Sequence, residues 1–175
     1  QDWVQIDIFG RGNNAYRWAG ETDVLEAMEA FWDNEAAAGR VTLPFPRRVV
    51  LRGFSMGGAG SWHLGLHRPG MWCVMGPGAG FTTTHGYAWA GRKDLPDYQE
   101  KCLRIYDAID YVENARMIPI VAYSGSEDAQ KLAADNIEKR LKELKIDTMT
   151  HLVAPGLGHT FPAEWFKKAN ELWAR

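Results

Sequence analysis

The stretch "VVLRGFSMGGAG", residues 49–60, decides how this chain is interpreted, because it places one serine among four glycines directly after a short apolar run. Its centre fits the pattern G-x-S-x-G through Gly53, Ser55 and Gly57. The apolar run predicts a β-strand and the segment after the serine predicts a helix. In that context the pattern is typical of a nucleophilic serine on a sharp strand-to-helix turn. The backbone of such a turn is strained, so its neighbours need to be almost free of side chains.

The start of the predicted helix adds a second chemical feature to this turn. The first N–H groups of a helix have no intrahelical acceptor, and the helix dipole is positive at that end. The N–H of Met56 is therefore a candidate donor to a developing oxyanion, while Gly58 and Gly60 would let the helix pack closely on a sheet. The alternative is a glycine-rich turn whose serine only caps the helix.

A serine hydroxyl needs a base to take its proton, and that base is commonly a histidine oriented by a carboxylate. His159, in "PGLGHTFP", follows the last predicted strand in a glycine-flanked loop, from which a ring can reach across the top of a sheet. His151 falls inside a predicted strand, and His63 and His67 lie past the first turn of the helix after the serine. We therefore predict that His159 is the base.

The orienting carboxylate is expected in a loop that follows a strand between the serine and the histidine. Asp128, in "VAYSGSEDAQ", meets this condition, and the chain order Ser, Asp, His is the one found in α/β-hydrolases. Glu127 stays open as the alternative, because a slight turn of the loop would let either carboxylate accept the histidine proton. Asp128 could also cap the helix predicted after it.

Predicted strands alternate with predicted helices along the rest of the chain. Apolar and β-branched runs predict strands at 3–9, 48–54, 72–81, 117–125 and 147–156. Apolar periodicity predicts helices at 21–39, 61–68, 128–145 and 162–175, with helical patches at 98–106 and 107–116. This alternation predicts the α/β class, with a largely parallel sheet that has helices on both faces. The length predicts one domain over residues 1–175.

Composition narrows the range of partners. With 20 basic and 22 acidic residues, the chain has no charge excess that would favour a nucleic acid or an anionic membrane, and we expect neither as a partner. No apolar run reaches the roughly 18 residues of a membrane span. The start at Gln1, without a methionine or a signal-peptide pattern, predicts a processed product or a piece of a larger protein. A secreted or periplasmic location would fit such a product, and the compartment stays open.

Three further features bear on cofactors and metals. Residues 10–15, "GRGNNA", fit a dinucleotide-binding pattern, but "YRWAG" separates them from the predicted helix that would have to meet the pyrophosphate. His63 and His67 have the spacing of a zinc-protease motif, yet leucine stands where its general base belongs. Cys73 and Cys102 lack the spacing of a zinc or redox site, and either a disulfide or two free thiols fits them. We expect no cofactor and no metal.

The segments "GFSMGG", "SGSED" and "GLGH", in this order, resemble the α/β-hydrolases, and among them the esterases related to the prolyl oligopeptidase catalytic domain and to dienelactone hydrolase. The resemblance extends from "WVQIDIFGRGNN" to "LGHTFPAEW". It implies a nucleophile at Ser55, a general base at His159, an orienting acid at Asp128 and an oxyanion donor at Met56. The implied reaction is hydrolysis of a small carboxylic ester, or of an amide, through an acyl-enzyme. Residues that could shape the substrate pocket, with ordinary packing as the alternative, are Phe54, His85, Tyr87 and Trp89.

The first strands of the family's sheet have no counterpart in this sequence. Members of the family normally have several strands, a helix and a second oxyanion donor before the strand that residues 3–9 resemble. The sequence therefore predicts the C-terminal part of a larger hydrolase domain, or a chain completed by a partner polypeptide or by another copy of itself. The alternative function is a non-catalytic module that contributes a binding surface or completes the sheet of a partner.

Overall fold

A computed structural model describes residues 3–40, 48–86 and 95–174. The chain divides into two compact units, Gln1–Pro46 and Arg47–Arg175, which are described separately below. The prediction of one domain over residues 1–175 stays a prediction.

Among its described residues, 3–40, the first unit contains one helix, α1 (Ala19–Ala37), which starts close to the predicted position. The strand predicted at 3–9 is wrong, because these residues have no regular secondary structure. A strand is stable only when its backbone pairs with a neighbour, and alternating apolar residues cannot supply that neighbour. Trp3, Val4 and Phe9 are instead 48%, 70% and 83% exposed. The loop after this segment is closed by the Tyr16 hydroxyl, which donates to the Ile8 carbonyl at 2.9 Å.

The second unit is built on a four-stranded parallel sheet in the order β1-β2-β3-β4. The strands are β1 (Val50–Phe54), β2 (Val74–Gly78), β3 (Ile120–Gly125) and β4 (Met149–Ala154). Each lies within one of the predicted strands and is shorter than predicted. The predicted α/β class with a parallel sheet is confirmed.

Helical segments connect the strands of this unit. The α-helices are α2 (Met56–His67), α3 (Asp97–Leu103), α4 (Lys131–Glu143) and α5 (Ala163–Trp173). Short 3₁₀ segments are Pro69–Met71, Thr84–Gly86 and Arg104–Tyr106, and a longer one, Ala108–Met117, replaces the second predicted helical patch. None of the helices in the described residues is long and apolar enough to cross a membrane.

Both faces of the sheet carry helices, as its alternating side chains require. Met75 of β2 lies against Gly65 of α2 on one face, where any Cβ at Gly65 would come within 2.6 Å of the Met75 sulfur. The next residue, Gly76, faces the other side, where a Cβ would come within 2.5 Å of the Trp173 ring of α5. Cys73 and Cys102 are free thiols, so of the two alternatives for these cysteines the structure has the thiols.

Candidate active site

Three of the predicted site residues follow the carboxyl ends of parallel strands. Ser55 comes directly after β1, Asp128 lies three residues beyond β3, and His159 lies five residues beyond β4. The carboxyl ends of parallel strands share one edge of the sheet, which is where ligands bind in open α/β sheets. The topology therefore brings these residues to one edge.

The backbone at Ser55 has a strained conformation, with φ 59° and ψ −114°. A residue with a side chain rarely occupies this region, and holding it there costs on the order of 1–3 kcal/mol. The Ser55 N–H donates to the Gly78 carbonyl of β2 at 2.9 Å, which fixes the turn to the sheet. The Ser55 side chain makes no capping hydrogen bond to α2, so the alternative of a simple helix cap lacks the bond that would define it.

Two of the glycines around the serine are needed for close approach. A Cβ at Gly53 would collide with the Gly57 carbonyl, and a Cβ at Gly58 would collide with the Gly78 carbonyl. Gly57 differs, because a Cβ there would meet nothing within 4 Å. The steric interpretation of the motif therefore applies to Gly53 and Gly58 and not to Gly57.

The structure places Ser55, His159 and Asp128 in one continuous hydrogen-bonded line. The Ser55 Oγ lies 2.8 Å from His159 Nε2, and His159 Nδ1 lies 2.8 Å from Asp128 Oδ2. A carboxylate only accepts, so Nδ1 donates to Asp128 and the Nε2 lone pair accepts from the serine hydroxyl. The Asp128 side chain is 4% exposed, whereas the His159 side chain is 41% exposed. The carboxylate is thus shielded from water, whereas the imidazole is accessible.

Hydrogen bonds between two loops fix the spacing of the acid and the base. The Ser126 N–H donates to the Ala154 carbonyl and the Glu127 N–H donates to the Leu157 carbonyl, both at 2.9 Å. The Gly156 N–H donates to the Ser126 hydroxyl at 2.8 Å. The segment that ends in Asp128 is therefore tied to the segment that leads to His159.

Asp128 is the carboxylate that reaches the histidine, and its neighbour Glu127 is exposed. The second oxygen of Asp128 accepts from the Gln130 N–H at 2.8 Å, so this side chain also organises the turn before α4. Asp128 therefore contacts His159. The N-cap residue of α4 is Gln130, without a side-chain capping bond, so the helix-cap role considered for Asp128 is wrong. The Gln130 side chain continues the connection, because its Oε1 accepts from the Gly80 N–H at 2.8 Å.

Sequence analysis missed Tyr123, which contacts the two residues that follow His159. Its hydroxyl donates to the Thr160 carbonyl at 2.8 Å, and its ring stacks on Phe161 with centroids 3.9 Å apart. Burial raises the pKa of Tyr123 above its ordinary value, and the charge of Asp128 raises it further, so the hydroxyl keeps its proton. The sequence contained one signal for this role: a tyrosine lies inside an apolar strand, and a buried tyrosine hydroxyl needs a hydrogen-bond partner.

The other histidines have different surroundings. His151 lies in β4, as predicted, with Nε2 3.0 Å from the Ser124 hydroxyl of β3. Burial lowers the pKa of His151 below its ordinary value, an effect partly offset by the charge of Asp135. The two ring nitrogens of His67 lie 2.8 Å from the carbonyls of His63 and Ile105, and His63 is buried within α2.

The four residues suggested for a substrate pocket divide into three cases. The Phe54 ring lies 4.8 Å from the His159 ring, centroid to centroid, so it borders the site. His85 is exposed and bonds Glu100 through Nε2 at 2.7 Å; this contact raises the pKa of His85, mainly through the hydrogen bond. Tyr87 and Trp89 lie outside the described residues.

Comparison with known proteins gives structural matches only. No known protein-family profile and no curated protein sequence matches the chain. Dipeptidyl peptidase 4 from Porphyromonas gingivalis matches 82% of this chain with a TM-score of 0.62 at 19% identity. A ferulic acid esterase matches 90% with a TM-score of 0.60 at 14% identity, and an S-formylglutathione hydrolase from Agrobacterium tumefaciens matches 83% with a TM-score of 0.58 at 18% identity.

The chain spans 22%, 59% and 55% of those three proteins. At such low identity the matches define a fold, and the chain has the α/β-hydrolase fold. The resemblance drawn from "GFSMGG", "SGSED" and "GLGH" is therefore confirmed at the level of the fold. The roles of the individual site residues stay predictions.

Proposed function

We propose that this chain is a serine hydrolase that cleaves carboxylic esters through an acyl-enzyme, with Ser55, His159 and Asp128 as its catalytic residues. The observation that carries the proposal is the hydrogen-bonded line from Ser55 Oγ through His159 to Asp128, which starts at a serine with a strained backbone. A serine that only caps a helix requires neither feature.

Each side chain has one role in the proposed reaction. His159 Nε2 takes the proton of Ser55 as Oγ bonds to the ester carbonyl carbon, and Asp128 stabilises the imidazolium that forms. The same proton then passes from Nε2 to the leaving alkoxide, which departs as an alcohol. In the second half, His159 Nε2 takes a proton from water as the water oxygen bonds to the acyl carbon. The bond between that carbon and Ser55 Oγ then breaks, Nε2 returns the proton to Oγ, and the carboxylic acid leaves. The reaction needs neither a metal nor a cofactor.

The oxyanion would be held by the N–H of Met56, the first residue of α2, where a helix has unbonded N–H groups and its positive dipole end. Enzymes of this type use two donors, and removing one costs about 100- to 1000-fold in turnover. We therefore expect slow turnover when Met56 is the sole donor, and faster turnover when the remainder of a larger domain or a partner supplies another.

An ester is the favoured substrate over a peptide. One matched structure is named as a ferulic acid esterase and another as dipeptidyl peptidase 4, with similar TM-scores of 0.60 and 0.62. An ester has the better leaving group and places less demand on the oxyanion site, which suits a chain with a single assigned donor. A panel of p-nitrophenyl esters of increasing acyl length tests this preference against p-nitroanilides of the same acids.

The second candidate function is a non-catalytic module that acts with a partner, with another copy of the chain or with a preceding segment. It is favoured by the short span of the chain, 22% to 59% of the three matched structures. Such a module would bind without turning over an ester.

A fluorophosphonate probe separates the two candidates, because it labels only a serine that its histidine activates. We expect labelling of one residue, Ser55, that disappears in Ser55→Ala and in His159→Ala. Ser61→Ala is the matched control, since the Ser61 hydroxyl is buried in α2 and makes no hydrogen bond within the described part of the chain. A folded chain, by circular dichroism, that takes up no probe would exclude the hydrolase and leave the module.

A further inference from the structure

A second cluster of titratable side chains lies apart from Ser55, where side chains of α4 approach a histidine of β4. His151 lies in β4, and Asp135 and Glu138 are one helical turn apart on α4. Residues three apart in a helix project from one face. One ring nitrogen of His151 and one oxygen from each carboxylate all lie within 4.8 Å of one another.

The histidine of this cluster is held as a ligand would be. Its side chain is 6% exposed, and its Nε2 lies 3.0 Å from the Ser124 hydroxyl. Its Nδ1 points at Asp135 at 3.8 Å, which is too long for a hydrogen bond. Metal-binding histidines commonly have one nitrogen fixed by such a partner while the other faces the ion.

We propose that His151, Asp135 and Glu138 form a binding site for one divalent transition-metal cation, with Zn²⁺ as the representative ion. One imidazole and two carboxylates form a mixed nitrogen and oxygen set that suits Zn²⁺, Co²⁺ or Ni²⁺ better than Mg²⁺ or Ca²⁺, which prefer oxygen alone. Water completes the coordination, because both carboxylates are partly exposed, at 39% and 41%.

Two lysines compete with the cation for these carboxylates. Lys131 Nζ bonds both oxygens of Asp135 at 2.6 and 2.7 Å, and Lys142 Nζ lies 3.2 Å from Glu138. Both are pairs four residues apart on a helix, with partly exposed side chains, and such pairs are weak. A divalent ion that binds three ligands at once therefore displaces them, and the lysines reduce its affinity without preventing binding.

The site would tie α4 to β4. The helix α4 follows the loop that carries Asp128, and β4 leads into the loop that carries His159. A ligand that binds only the folded state raises its stability by mass action. The cation would therefore stabilise the part of the fold that supports both loops without taking part in the reaction of Ser55.

The test is a titration of the metal-free chain with Zn²⁺ in competition with a chromophoric chelator. We expect a bound equivalent that is lost in His151→Gln and whose Kd rises at least tenfold in Glu138→Gln. Lys131→Met should lower the Kd, because it removes a competitor for Asp135. Co²⁺ should give visible absorption bands that disappear in His151→Gln and need a higher Co²⁺ concentration in Glu138→Gln.

Two controls keep the result specific. Glu143→Gln removes another α4 carboxylate, one that bonds Arg140, and Cys102→Ser removes an exposed thiol; neither should change the equivalent assigned to this site. Glu138 is partly exposed, so Glu138→Gln keeps the fold even if His151→Gln does not. A wild-type chain that binds no Zn²⁺, or a Kd that Glu138→Gln and Lys131→Met leave unchanged, overturns the proposal.

Discussion

Two histidines of this fold, His159 and His151, have the same kinds of neighbours and yet differ in what they can do. Each has a serine hydroxyl beside Nε2, at 2.8 Å for His159 and 3.0 Å for His151. Each also has an aspartate nearest Nδ1, at 2.8 Å for His159 and at 3.8 Å for His151. A serine, a histidine and an aspartate in proximity are therefore not enough to define a nucleophile.

Three physical differences separate the group of Ser55, His159 and Asp128 from the group around His151. Ser55 lies on a strained turn, whereas Ser124 lies within β3 and is fully buried. Asp128 bonds His159 directly, whereas Asp135 bonds Lys131 instead of His151. The proposed catalytic role of Ser55, His159 and Asp128 therefore rests on solvent access, on backbone strain and on which partner the carboxylate bonds.

The largest expected difference in kcat is the one between substitution of His159 and substitution of His151. His159→Ala removes the proposed base and should lower kcat toward p-nitrophenyl acetate by about 10⁶-fold, as far as the assay can follow it. His151→Gln should change kcat less than about tenfold, because its serine is inaccessible to an ester. Initial rates on folded variants measure both effects. Equal losses from the two substitutions would remove the distinction drawn here.

The carboxylates give the next largest contrast. Asp128→Asn keeps an oxygen for the Gln130 N–H but no longer fixes the His159 tautomer, and we expect kcat to fall about 10⁴-fold. Asp135→Asn changes an aspartate of the same type that bonds a lysine, and its kcat should stay within about twofold of wild type. Retained activity in Asp128→Asn with loss in Glu127→Gln would show that the neighbouring carboxylate is the orienting acid.

The close packing around Ser55 can be tested by adding the same methyl group at two neighbouring glycines. In Gly58→Ala the new Cβ collides with the Gly78 carbonyl, and we expect the free energy of unfolding to fall by about 1–3 kcal/mol. In Gly57→Ala the Cβ meets nothing within 4 Å, and alanine favours a helix over glycine. Urea denaturation should therefore show no loss for Gly57→Ala, and equal losses would count against the steric account of the turn.

The sequence predicts best those features that depend on local constraints. The segment around Ser55 was predictable because its constraints are local: a strand, a glycine, a serine and a helix start follow one another in the chain. His159 and Asp128 were predictable from their positions after strands, since parallel strands bring those ends to one edge. The strand expected at 3–9 failed because alternation specifies a face and does not specify a pairing partner.

The contacts that hold the site together could not be predicted. The hydrogen bonds from Ser126 and Glu127 to the loop after β4 join residues that no local pattern relates. The Tyr123 bond to Thr160 likewise depends on where the histidine loop passes over β3. Sequence patterns identified the residue types, and tertiary packing determined their partners.

Tyr123→Phe tests whether the support beneath His159 matters for turnover. The variant keeps the ring that stacks on Phe161 and removes the hydrogen bond to the Thr160 carbonyl. Such a bond is worth about 1 kcal/mol, which corresponds to about fivefold in rate. We expect kcat to fall by that factor with KM unchanged, because the hydroxyl positions the base and does not face the substrate.

Tyr111→Phe is the matched control for this change, because its ring packs against His67, 3.8 Å from centroid to centroid. It should leave kcat unchanged even where it lowers stability. A uniform effect of the two substitutions on kcat, in proportion to lost stability, would show that Tyr123 has only a structural role.

The smallest expected effects are changes in how stability depends on pH, and the larger of these comes from His151. Burial lowers the pKa of His151 below the ordinary value of 6.5, so near and below that pH the unfolded chain binds a proton that the folded chain does not. Stability should therefore fall as the pH falls from 7, with a slope from this group of at most about 1.4 kcal/mol per pH unit, the limit for one proton. His151→Gln should show a shallower fall in urea denaturation with a chelator present.

His85 provides the opposite case within the same chain. Its hydrogen bond to Glu100 raises the pKa of His85, so the folded chain binds the proton more tightly, and this contribution is present at low pH and lost as the pH rises. The contribution is small, because the ring is exposed and screened by solvent. His85→Gln should therefore steepen the acid-side fall slightly, while His151→Gln makes it shallower. Changes of the same sign in both variants would mean that burial does not control the protonation of His151.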